Sequence, residues 1–180
     1  NDSHSTLLDA LAIVPRDSHA LRARLARACA GVDSNLGRQD QARDRLASAL
    51  ESLPDQSSRE AVALMLELTV NALWRTRHSE MHEAAERAVT AARRLGEPAL
   101  TAAALAELAL ANSIMGAADR AEASRSEAAA LVDSLSDDEL VEQMHNDLYD
   151  GMKEEIVEGT KILLGRGFTA TQVLGGEPDR

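Results

Sequence analysis

The chain has 180 residues, 44% of them hydrophobic and 27% charged, with a formal net charge of -11. That apolar share excludes disorder as a global description, and the length suffices for one or two compact units. The acidic surplus repels nucleic acid, and no run of about 18 apolar residues exists to cross a bilayer. Aromatic residues make up only 2%. The core must therefore be built from Ala, Leu, Val and Met, which favours closely packed helices over sheet, so the expected fold class is all-α.

The first residues, NDSHSTLLDALAIVPRD, have neither a basic leader region nor a small-residue cleavage site, so they do not read as a secretory signal. Without an initiating Met they read as a fragment edge. The single Cys29 has no partner for an internal disulfide, which suits a reducing cytoplasm. Next come Arg22, Arg24, Arg27, Arg38, Arg43 and Arg45, interrupted by Asp33, Asp40 and Asp44. This pattern predicts a solvated helix face of mixed charge, with no direct nucleic-acid contact by this chain and no membrane contact.

A repeat organises residues 1–136. Ala30, Thr69 and Ala109 are separated by 39 and 40 residues, and so are Gly37, Thr76 and Gly116. Ala42, Met81 and Ala121 share those spacings, as do Ala49, Ala88 and Ala128. Each unit reads as helix A, a short turn, and helix B. In the first, Leu21, Leu25, Ala28, Val32 and Leu36 predict the apolar stripe of helix A, and Gly37 supplies its left-handed end. Ala42, Leu46, Ala49, Leu50 and Leu53 predict the stripe of helix B, with Pro54 as its stop. The second unit is expected over 57–75 and 79–95, and the third over 98–115 and 117–135. Pro98 stands at a helix start, where its missing N–H costs nothing. One hairpin cannot bury both of its apolar sides, so about three stacked αα hairpins are expected to form a solenoid.

From Asp137 onward the composition changes. Both lysines, six of the ten glycines, Tyr149 and Phe168 lie there, and Ala170 is the only alanine. Residues 137–174 are expected to add a C-terminal helical extension, and 175–180 a frayed tail. Ser136 and Thr169 are the expected N-caps.

No motif for catalysis stands out. His78 and His82, spaced i and i+4, are a candidate metal pair with Glu86 as third ligand; the order His-Ser-Glu-Met-His lacks the general-base position of a zinc protease. Asp147, Asp150, Glu154, Glu155 and Glu158 predict a solvated acidic face. Cys29 reads as a small core residue. Trp74 reads as repeat packing, with a partner contact as the alternative.

Two resemblances attach to these residues. GRQDQARDRLASALESLP, from Gly37 to Pro54, resembles the second half of a tetratricopeptide repeat. The stretch GAADRAEASRSEAAALVDSLSDDEL echoes it, with Arg125 in place of a large apolar residue. Over about Leu7 to Leu140 the chain resembles the helical-repeat region of large LuxR-type transcriptional regulators. The glycines at 31 and 37 lack the lysine of a phosphate loop, and no DNA-reading helix is recognisable. The resemblance therefore implies a non-enzymatic sensor and interaction module without a cofactor. Its partner would be a protein, a peptide or a small inducer.

DDELVEQMHNDLYDGMKEEIVEGTKILLGRGFTATQVL is similar instead to the N-terminal helical cap of corrinoid methyltransferase proteins. The similarity rests on Leu148–Gly151, the Glu-Gly-Thr helix end and the Leu-Leu-x-Arg-Gly-aromatic turn. The cobalt-ligating Asp-x-His-x-x-Gly motif of that family is absent. The alternatives to a regulator module are thus a fragment of a corrinoid protein, or a recombined sequence with no evolved joint function.

Overall fold

The computed structural model describes residues 2–141, 144 and 153–173, and among them every regular element is a helix. The chain divides into two compact units, Asn1–Ala128 and Ala129–Arg180.

From the N-terminus, α1 (Asp2–Ile13) is followed by three hairpins, the last helix of which begins in the first unit and ends in the second. These are α2 (His19–Asn35) with α3 (Gln39–Glu51), α4 (Arg59–Trp74) with α5 (His78–Leu95), and α6 (Pro98–Ile114) with α7 (Ala118–Ser134). The A helices are α2, α4 and α6. The B helices α3 and α5 each pack on the next A helix, and α4 also touches both α2 and α6. This is the nearest-neighbour stacking expected of a helical repeat.

Three of the four sequence columns have a clear physical role; in the fourth, Ala88 is buried and Ala49 and Ala128 are partly so. Gly37, Thr76 and Gly116 all take positive φ, at 73°, 55° and 77°. At each, two backbone bonds close the end of the A helix. Gly37 N–H donates to the Ser34 carbonyl and Arg38 N–H to Asp33; Thr76 donates to Leu73 and Arg77 to Ala72; Gly116 donates to Ser113 and Ala117 to Asn112. This is one Schellman turn made three times, and it satisfies carbonyls that a helix end leaves orphaned. The column Ala30, Thr69 and Ala109 is buried, as is Ala42, Met81 and Ala121. Their small side chains let the helix backbones approach, while Met81 fills the gap between Ala72 and Ala111.

One expected stripe is corrected. On α2 the buried side chains are Ala23, Ala26, Cys29, Ala30 and Asp33, whereas Leu21 and Leu36 are exposed. The close face selects small residues, so leucine marks the outer side. Arginines distribute into bonds and form no basic face. Arg22 donates to the Leu11 and Val14 carbonyls at the end of α1. Arg45 pairs with the buried Asp33 at 3.1 Å, and Arg43 with Asp44. Hairpins are tied by Arg75–Asp40, Arg59–Glu97 and Arg93–Glu127.

The second unit includes helical residues 137–141, α8 (Lys153–Gly165) and α9 (Ala170–Val173). Ser136 and Glu139 form a reciprocal capping box, and so do Thr169 and Gln172. Leu135, Leu140, Met144, Leu163 and Val173 are buried. Gly159 lies so close to Met144 that an added Cβ would stand 2.6 Å from its Cγ. Gly167, at φ 95°, repeats the Schellman turn, with Phe168 N–H bonded to the Leu163 carbonyl. Arg166 then binds the Leu135 and Asp133 carbonyls and the Asp137 carboxylate. No helix among the described residues is long and apolar enough to cross a membrane.

Candidate functional site

α6 carries a single charged residue, Glu107, in 17 positions, and α4 carries Glu67 as its only charge beyond the first turn. The two are 40 residues apart, as are Val70 and Leu110, and Trp74 and Ile114. Spacings of three and seven place each trio on one helix face. Trp74 is 69% exposed, Leu110 42% and Ile114 36%. Met115, at the C-cap of α6, is 53% exposed. The A helices of the second and third hairpins thus present one pattern twice: a carboxylate at mid-helix and apolar side chains toward the C-terminal end. We call this surface the A face.

The carboxylates differ in their partners. Arg27 of α2 donates to Glu67 Oε1 through Nη2 at 2.9 Å and Nε at 3.3 Å. One hairpin later Leu66 occupies the column of Arg27. Glu107 is half-buried, and its Oε2 is shielded and has no hydrogen-bond partner among the described residues. Burial pushes the Glu107 carboxyl above the ordinary range, and the neighbouring Glu67 charge adds to that. The inter-hairpin ladder of arginine and glutamate therefore has one rung filled and the next open.

Behind this face, buried asparagines tie the hairpins together. Asn71 donates to the Gln39 carbonyl at 2.9 Å. Asn112 Oδ1 lies 3.2 Å from His82 Nε2. These bonds fix each A helix against the preceding B helix, because a one-turn slip would leave a buried amide unsatisfied.

His82 is therefore engaged by Asn112, and its Nδ1 lies 3.7 Å from Glu86. His78 is exposed. Among the described residues no three His, Cys, Asp or Glu side chains gather to hold a metal ion. Cys29 is fully buried, and burial pushes its thiol up, so it is no ready thiolate. Trp74 is not repeat packing but stands in solvent. Asp147 and Asp150 lie outside the described residues; for Glu154, Glu155 and Glu158 only the helical backbone is described. A shallow open depression between Gln56, Met65, Glu83 and Arg87 brings no reactive set together.

Glu67, Glu107, Leu110 and Ile114 were not singled out by the sequence reading. Their signal is the match of ELTVNALW (67–74) to ELALANSI (107–114), in the same 40-residue column.

No family model matches the chain, and no curated protein matches it. Among solved structures it is similar to BtubC (BKLC) from P. vanneervenii, with a TM-score of 0.58 and 20% sequence identity. The similarity covers 61% of this chain and 46% of that one, so the chain spans less than half of BtubC. At this identity the likeness is one of helical fold.

Proposed function

We propose that the chain is a non-enzymatic interaction module whose A face docks a protein or peptide. One observation carries this reading. In the three hairpins, every exposed large hydrophobic residue lies on an A helix or its C-cap: Leu21, Leu36, Trp74, Leu110, Ile114 and Met115. The B helices α3, α5 and α7 present none. Scattered exposure would need no explanation, and confinement to one set of helices supports reading it as an interaction surface. A photoreactive amino acid at position 74 or 114 should crosslink to a defined partner more strongly than one at Arg94 on α5. Equal labelling from α5 would overturn the reading.

A cytoplasmic regulator of the LuxR type is the setting we propose for this module, on the strength of the sequence resemblance over about Leu7 to Leu140. The gene is then expected to encode a phosphate-loop ATPase upstream and a helix-turn-helix downstream. Finding neither would remove that setting and leave the docking face intact.

A second reading concerns the C-terminal unit alone, as the helical cap of a corrinoid protein. The Leu-Leu-x-Arg-Gly-Phe residues on which that resemblance rests form a closed turn, fixed by Gly167 and Arg166. Leu148–Gly151, the other part, lies outside the described residues. A methylcobalamin absorbance titration tests it, and an unchanged spectrum at saturating cofactor would remove it.

A further inference from the structure

This inference rests on the docking reading above and narrows it to one chemical class of partner. We propose that the A face of α4 and α6 receives a basic amphipathic segment of a partner protein. A cationic side chain of that segment sits over Leu66 against Glu107 and Glu67, and its apolar side chains lie on Val70, Trp74, Leu110 and Ile114.

The open rung is the starting point. Arg27 reaches Glu67 across one hairpin interface, while at the next Leu66 stands in the arginine column and Glu107 has no cation among the described residues. A carboxylate held half-buried and unpartnered in an otherwise uncharged helix is costly, so a group that completes it gains more there than at an exposed site. No base of this face is free to fill the rung. α6 contains no basic residue, and the only one in α4, Arg59, is paired with Glu97. Arg75, at the end of α4, is held by Asp40 and Glu80. The chain contains no lysine before Lys153. With no free base on this face, complementary charge is assigned to the partner, and the apolar row beside the carboxylates sets the amphipathic pattern.

The sole tryptophan of the chain stands in this row, so its emission reports occupancy directly. The full chain is titrated with three synthetic helical peptides of one leucine pattern, whose polar positions are Lys, Glu or Gln. The Lys peptide should blue-shift and saturate the emission, with affinity falling roughly 10-fold or more in Glu107→Gln. Leu66→Arg, which fills the rung from within, should weaken it to a similar degree. Glu107→Gln keeps the shape of the side chain and removes a half-buried charge, so the fold is expected to persist, and helical circular dichroism and the melting temperature of the variant check that loss of binding is not loss of fold. Equal saturation by all three peptides would overturn the cationic assignment and leave the docking face standing. No emission change with any of them would overturn both. Binding of the Lys peptide that is insensitive to Glu107→Gln and Leu66→Arg would assign the attraction to net charge and refute the site.

Discussion

The two units are held together by different means. Asn1–Ala128 repeats one solution: small residues at the helix crossings, a Schellman turn after each A helix, and charged ties from one hairpin to the next. Ala129–Arg180 shares the capping devices, with two capping boxes and one Schellman turn, but its described packing contacts are made once each. Gly159 admits Met144, and Arg166 gathers Leu135, Asp133 and Asp137. A repeated solution has a reference built into it. Where one copy departs from the others, as Thr76 does from Gly37 and Gly116, or where a pair is made at one interface and not at the next, as Arg27–Glu67 is, the difference is visible without any relative. The second unit has no repeated hairpin to serve as such a reference.

The largest expected effect breaks the first unit. Met81 is fully buried between Ala72 and Ala111, and Met81→Ala should cost about 2–5 kcal/mol by transfer and cavity terms. Hydrogen exchange read by mass spectrometry should accelerate across α4–α6. Gly159→Val should cost about 1–3 kcal/mol through overpacking against Met144, with faster exchange in 137–141 and α8. Crossed effects, each variant loosening the other unit first, would dissolve the distinction between them.

Smaller changes sharpen it. Thr76 occupies a left-handed turn position that its two counterparts give to glycine. Thr76→Gly should stabilise by about 1 kcal/mol, and Gly116→Ala should destabilise by a similar amount, as read from denaturant midpoints. Matching signs for the two would mean that the turns are not equivalent. Glu107→Gln has the smallest effect and the clearest pH signature. A carboxyl raised in the folded state lends stability below its unfolded pKa and loses it as pH rises through the folded one. The variant should therefore exceed the parent in stability near neutrality, and the gap should close in acid below the ordinary glutamate range. A gap that does not change with pH would contradict the raised carboxyl.

Much of this was legible in the sequence, for definite reasons. Gly37, Thr76 and Gly116 share a column because a left-handed turn needs φ above zero at the same place in each hairpin. Ser136 reads as a cap because Asp137, Asp138 and Glu139 follow it, and Thr169 because a hydroxyl residue precedes a short helical stretch; the structure adds the reciprocal partners Glu139 and Gln172. The face of α2 was misjudged because leucine outweighs alanine in an apolar stripe, whereas close helix crossings select alanine. Helix α1 carries Leu7, Leu8 and Leu11 before Pro15, but it lies outside the repeat columns and was not singled out as an element. Trp74 at the end of an A helix reads as packing, with a partner contact as the alternative, and the structure shows it exposed. Glu107 belongs to no motif. Only its column, with Arg27 bonded to Glu67 one interface earlier, gives it meaning.

The account depends most on Leu66 standing opposite Glu107 as Arg27 stands opposite Glu67. A double-mutant cycle on Leu66→Arg and Glu107→Gln tests this, read as unfolding free energy near neutral pH. The account predicts a coupling of about 1 kcal/mol or more, with arginine at 66 favoured only while Glu107 is present. Additive effects of the two substitutions would show that no rung is open there.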